Sequence, residues 1–135
     1  MNGEAPACGN LLDTHIALWA LESPEALSAS AQRAILAGPN LLSVVSYWEV
    51  VVKNMKGKLD VGDPRTWWLD ALDQLVATPL VLRPSHIAAF CGLPPIHKDP
   101  FDRMLIAQAT AEKLALVSSD AEIAQYASKA LRIVC

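Results

Sequence analysis

The sequence predicts an α/β domain, a three-layer sandwich in which a central, mostly parallel sheet is flanked by helices. Two observations carry this. Short apolar runs alternate along the chain with segments of helical spacing, the pattern of βα units whose parallel sheet is covered on both faces. The 135 residues are 53% hydrophobic and 19% charged, which suits one compact domain and excludes a disordered chain.

The elements follow in order. Residues 1–9 read as a flexible leader with Gly and Pro and no periodicity, and residues 10–135 as a single domain. "NLLDT" is a buried strand ending at Asp13, and "THIALWALE" continues with Ile16, Trp19 and Ala20 on one helical face. "SPEALS" is a loop; a second helix runs from near Ser28 to the Gly38-Pro39 break. "NLLSVV" is the second strand, and "SYWEVVVKNMKGK" a helix with Ser46 as its cap and Gly57 at its end. "DPRTWWLDALDQLVA" starts at Asp63 before Pro64, with Trp67, Leu72 and Leu75 as its apolar positions. "TPLVLR" is a strand, "PSHIAAFCGL" a short helix, "PPIHK" a loop and "DPFDRMLIAQATAEKL" a strongly signalled helix. "ALVSSD" is a strand ending at Asp120, followed by helix "AEIAQYASKA" and a last strand "LRIV". No internal repeat is present.

The formal net charge is -3 and argues against a basic, phosphate-coating nucleic-acid binder. It leaves open an enzyme that grips phosphate through a metal, because the cation supplies the missing charge. The mean hydropathy of +0.27 points to apolar surface in a subunit or partner interface. Cys8, Cys91 and Cys135 form no C-x-x-C pair, so reduced thiols and a cytoplasmic location are expected. The most apolar run, Leu41 to Val52, is short and broken by Glu49, and the N-terminus lacks the pattern of a secretory signal.

Four acids stand at positions where chemistry is possible. In open parallel sheets the working site lies beyond the carboxyl ends of the strands. Asp13 and Asp120 end strands; Glu49 lies in the helix after the second strand, and Asp102 in the first turn of a later helix. Two carboxylates about 4 Å apart repel by roughly 4 kcal/mol at an effective dielectric of 20. Such a cluster takes up protons or binds a cation, and hard oxygen ligands suit Mg²⁺ or Mn²⁺. Each acid also has an ordinary reading. Asp99 before Pro100 is a helix cap, and Asp102 can return a capping bond. Asp120 can cap its helix, and Glu49 can pair with Lys53 one turn on. Asp13 is the hardest to dismiss, since a charge ending an apolar strand is costly if buried unpaired.

Four blocks together shift the balance. "LLDTHIALW", "SVVSYWEVVVKNMKGKL", "LPPIHKDPFDRMLIAQA" and "LVSSDAEIAQY", in that order from Leu11 to Tyr126, resemble the signature blocks of PIN-domain ribonucleases, specifically the VapC toxins of toxin–antitoxin pairs. The resemblance implies a PIN-like fold and an acidic quartet, Asp13, Glu49, Asp102 and Asp120, that is catalytic and holds Mg²⁺ or Mn²⁺. It implies an endoribonuclease acting on RNA phosphodiesters, a cognate VapB-like antitoxin and a homodimer. Asp99 then mainly starts its helix, touching the site from behind the metal ligands. Thr14 and Ser118 either hydrogen-bond the acids or serve as a helix cap and a strand-end hydroxyl. Arg103 contacts a substrate phosphate or pairs with an acid; Lys53, Lys58 and Ser46 are weaker substrate contacts. His97 reads as a loop-packing residue, and Trp19, Trp48, Trp67 and Trp68 as core or interface. The alternatives are an inactive PIN-like module that binds RNA or protein, and a phosphoaspartyl phosphatase. The latter wants a second aspartate two residues after the first, where this chain has His15.

Overall fold

The computed structural model describes residues 9–135. The expected leader and Cys8 lie outside the described residues, apart from Gly9. The elements are β1 (Asn10–Leu12), α1 (Thr14–Glu22), α2 (Ala29–Ala37), β2 (Asn40–Ser43), α3 (Val44–Met55) and α4 (Pro64–Gln74). They continue with β3 (Ala77–Leu80), α5 (Pro84–Cys91), α6 (Pro100–Glu112), β4 (Ala115–Val117), α7 (Ala121–Ala124) and β5 (Ile133–Val134). The five strands form one sheet in the order β3-β2-β1-β4-β5, and every pairing is parallel.

Two buried clusters lie on the two faces of this sheet, and adjacent strand residues feed opposite ones. Leu12, Leu42, Ala115 and Val117 join one cluster with α1, α2 and α4 residues. Leu11 and Leu116 join the other with Leu105, Ile106 and Ala109 of α6. Period-two alternation with both faces apolar yields strands that read as continuous hydrophobic runs. That is why three- and four-residue strands were recognisable at all.

Several boundaries differ from expectation. The α3 cap is Ser43, whose side chain accepts from the Val45 N–H; Ser46 lies one turn inside and is buried. β4 stops at Val117, so Asp120 is not the end of the strand; it caps α7 three residues later. α7 is a single turn, ending before an isolated bridge between Ser128 and Leu131. The "SPEALS" loop contains a 3₁₀ turn at Pro24–Ala26. Trp67 and Trp68 are core residues, whereas Trp19 and Trp48 are exposed, which removes them from the core half of their expected role. Among the described residues no helix is long and apolar enough to cross a membrane.

Leu116→Ala opens a void in the middle of the sheet and is expected to cost about 2–5 kcal/mol. Leu36→Ala, at a side chain 89% exposed on α2, is expected to change stability by less than about 0.5 kcal/mol. Urea unfolding of both variants checks this; equal losses would contradict the assigned core.

Candidate active site

The carboxyl ends of β1, β2 and β4 open on one edge of the sheet, and the site is built there. The Asp13 N–H donates to the Val117 carbonyl at 3.0 Å, so the chain leaves β1 still tied to the end of β4. Asp13 then caps α1, accepting from the His15 N–H at 3.1 Å. Its other oxygen accepts from the Ser118 hydroxyl at 2.6 Å, and that hydroxyl also accepts from the Asp120 N–H at 3.1 Å. Ser118 therefore links the segments that carry Asp13 and Asp120. Burial nonetheless holds the Asp13 carboxyl above the usual aspartate range, against its hydrogen bonds from Ser118 and His15, with the Glu49 charge adding to the rise.

Glu49 comes from α3 and is almost fully buried. Thr14 Oγ1 donates to its Oε1 at 2.7 Å and lies 2.8 Å from Ser46 Oγ. Its other oxygen pairs with Lys53 one turn along the helix. Burial works against the Lys53 charge, yet the bond to Glu49 and the fields of Glu49, Asp99 and Asp102 raise its pKa.

α6 supplies the rest. Asp99 caps it, accepting from the Phe101 N–H at 2.8 Å and more weakly from the Asp102 N–H at 3.3 Å. The expected return bond from Asp102 is replaced: the Asp99 N–H donates to His97 Nδ1 at 3.1 Å. With that N–H satisfied, the Asp102 carboxyl is free to face the other acids. Burial, then the charges of Asp13, Asp99 and Glu49, push its pKa up to about 7. His97 Nε2 stands 3.1 Å from Asp102 Oδ2 and 3.2 Å from Asp120 Oδ2. Burial opposes the imidazolium, but Asp120, Asp102 and Glu122 raise its pKa above the ordinary histidine value. Asp120 also resists burial: the Ile123 N–H, His97 and the Glu122 N–H hold its carboxyl below the usual range.

Two overlapping groups of ligand atoms result, Glu49–Asp99–Asp102 and His97–Asp102–Asp120, each within 4.8 Å. Asp102 belongs to both. Asp99 thus stands among the carboxylates as well as capping the helix. The donor set fits a divalent ion: one group is three carboxylates, the hard-oxygen set that suits Mg²⁺ or Mn²⁺, and the shared member resists ionisation without a cation beside it. Asp13 meets this cluster through its field on Asp102 and Asp120 through the second group.

Not every expected residue arrives. Arg103 turns away from the acids; it donates to the carbonyls of Pro94 and His97, both at 3.2 Å, and its guanidinium sits over the Phe90 ring. It braces the loop that carries His97, a task shared by the Tyr126 hydroxyl, which accepts from the Ile96 and His97 N–H groups and donates to the Pro94 carbonyl. Ser46 is fully buried beneath Thr14 and is out of a substrate's reach. Lys53 is engaged by Glu49. The side chain sequence reasoning missed is His97. Its one signal was its place two residues before the Asp99 cap, where an imidazole can accept the cap's N–H.

Comparison with known proteins gives one coherent picture. The model of the PIN domain family matches residues 11–129. "Ribonuclease VapC22" of Mycobacterium tuberculosis is 30% identical over 118 residues, covering 86% of this chain and 90% of that protein. Among solved structures, a toxin–antitoxin complex from Klebsiella pneumoniae aligns with TM-score 0.63 and 19% identity, over 93% of this chain and 96% of that one. VapBC2 from Rickettsia felis, bound to a promoter DNA fragment, aligns with TM-score 0.64 and 13% identity, over 92% and 96%. At these identities the structures speak for the fold.

The raised Asp102 carboxyl has a stability consequence without metal. Folding lifts its pKa from 3.8 to about 7, so the native state binds the extra proton between those values. The contribution of this group to stability is then greatest below about pH 4 and is lost as pH rises toward 7. The full shift corresponds to at most about 4 kcal/mol. Asp102→Asn is expected to melt higher than the parent above pH 7 in EDTA, with the gap closing toward pH 4. Melting curves that stay parallel across this range would contradict the burial and repulsion assigned to Asp102.

Proposed function

The chain belongs to the PIN domain family, and on that premise we propose that it is an endoribonuclease toxin of the VapC type, cleaving RNA phosphodiesters in the cytoplasm with Mg²⁺ or Mn²⁺ and restrained by a cognate antitoxin. The observation that carries this reading is the meeting of Glu49, Asp99 and Asp102 around one point, with Asp13 and Asp120 bordering it. Four separate chain segments send acids to one place, which capping alone does not require.

Asp102 and Glu49 would hold the ion directly, with Asp13 and Asp120 completing the catalytic quartet. When bound, a divalent cation supplies Lewis-acid activation of water and neutralises charge that develops on the phosphodiester. The remaining work falls to the chain. Thr14 holds one Glu49 oxygen and Ser118 one Asp13 oxygen, while Lys53 and the His15 N–H hold the others, so both carboxylates are fixed in one orientation. His97 orients Asp102 and Asp120 through one ring nitrogen. Lys53 balances Glu49 until a cation does so. An antitoxin partner is supported by the toxin–antitoxin assemblies that share this fold; the homodimer rests on the motif resemblance alone.

A binding module without turnover draws on a different observation. Lys53 already offsets part of the cluster's charge, and His97 hydrogen-bonds two of its members, with no ion required. Calorimetric titration with Mn²⁺ separates the two readings: the nuclease takes up the ion and loses that uptake in Asp102→Asn, whereas the idle module shows no acid-dependent uptake.

Asp13→Asn, Glu49→Gln and Asp102→Asn are each expected to lower Mg²⁺-dependent RNA cleavage by at least about 100-fold, since loss of one ligand or its orientation costs on that order. The fold should persist, as judged by circular dichroism. Full cleavage in any of the three would remove that residue from the quartet. In cells, induction of the parent chain alone is expected to stop growth, and co-expression of the antitoxin to restore it; growth unaffected by the parent chain would count against the toxin reading.

A further inference from the structure

Beside the acid cluster lies a cleft of about 320 Å³ lined by Val52, Lys53, Lys56, Lys58, Lys98, Asp99, Pro100 and Phe101. It holds four of the chain's 11 basic residues, in a protein of net charge -3. Lys53 is paired with Glu49, but Lys56, Lys58 and Lys98 are exposed and make no ion pair among the described residues. Asp99 belongs both to this cleft and to the Glu49–Asp99–Asp102 group, so the two are one continuous surface.

An aromatic side chain stands at its border. Trp48 is 58% exposed on α3, one helical turn before the cleft-lining Val52. Its ring meets the cleft-lining Phe101 edge-on, with centroids 4.9 Å apart and planes at 78°. With that contact made, Trp48 still has more than half of its surface exposed. Lysines that follow a backbone, combined with an aromatic face for bases, are the two devices of single-strand binding. Stacking on Trp48 needs an unpaired base, which a single strand offers and a duplex does not.

We propose that this cleft is the strand-entry site of the enzyme: Lys56, Lys58 and Lys98 hold the phosphates of single-stranded RNA, Trp48 stacks on a base, and the strand continues over Asp99 to the acid cluster. The inference rests on the ribonuclease reading for its choice of RNA. Lys56 and Lys98, unlike Lys58, carried no signal in the sequence, because nothing there places residue 98 against the end of α3.

The test is anisotropy of a fluorescein-labelled single-stranded oligoribonucleotide of mixed sequence, titrated in EDTA so that binding is read without turnover. The Lys56→Ala/Lys58→Ala/Lys98→Ala protein is expected to bind at least tenfold more weakly at low salt. Its slope of log affinity against log salt should be shallower by about 2, three phosphates at about 0.7 each. Trp48→Ala should lose about tenfold in affinity with the slope unchanged. The matching duplex should bind the parent protein more weakly than the single strand does. Parent affinity and slope in the triple variant would overturn the proposal, as would equal binding of the duplex. Unchanged RNA binding with loss of antitoxin in co-purification would overturn it too, giving the cleft to a protein. Mg²⁺-dependent cleavage by the parent protein is scored separately. Cleft-dependent binding without cleavage would sink the nuclease reading alone; cleavage indifferent to the three lysines would sink the cleft alone.

Discussion

The mutual repulsion of buried carboxylates around Asp102 is the constraint on which the site depends. At separations of a few ångströms in a partly desolvated place, like charges cost several kcal/mol. The chain meets that cost with a set of local devices. Lys53 leans on Glu49, His97 reaches Asp102 and Asp120, and the backbone N–H groups of α7 receive Asp120. Asp102 is the member left least compensated, which is why burial and its neighbours hold it near neutrality. A fold that needed only stability would replace such a centre with apolar packing.

The sheet makes the cluster possible. Parallel strands deliver all their carboxyl ends to one edge, so β1, β2 and β4 release the chain side by side. The helices that follow start at that same edge, and their first turns need acceptors. Asp13, Asp99 and Asp120 each cap a helix there. Capping and ligation are therefore not rival explanations for these residues. A cap aspartate uses one oxygen on the helix and leaves the other for its surroundings, as Asp13 and Asp120 both do. The substitution of His97 for the usual return bond extends this economy to Asp102.

Much of this was legible in the sequence, for identifiable reasons. Helices α1 and α4 announce themselves by caps and apolar spacing, and the strands by short apolar runs bounded by polar residues. The edges were harder. Ser46 was read as the cap of α3, but β2 runs to Ser43 in the sheet and that serine caps the helix instead. The acids were recognisable as candidates singly, but their convergence came from a resemblance of motifs, because spacing along the chain does not encode distance between α3 and α6. For the same reason the place of Arg103 against the His97 loop was not foreseen, and His97 was undervalued. The direction of a long side chain depends on the loop at residues 94–97, which Tyr126 fixes from 30 residues away in sequence.

Asp102 is proposed as the shared ligand of a divalent cation. Anomalous diffraction from crystals soaked in Mn²⁺ tests it most directly. A strong anomalous peak is expected, bonded to the Asp102 carboxylate and to at least one further acid of the quartet. Saturating Mn²⁺ that leaves Asp102 without a peak, or that collects only on unrelated surface carboxylates, would contradict it.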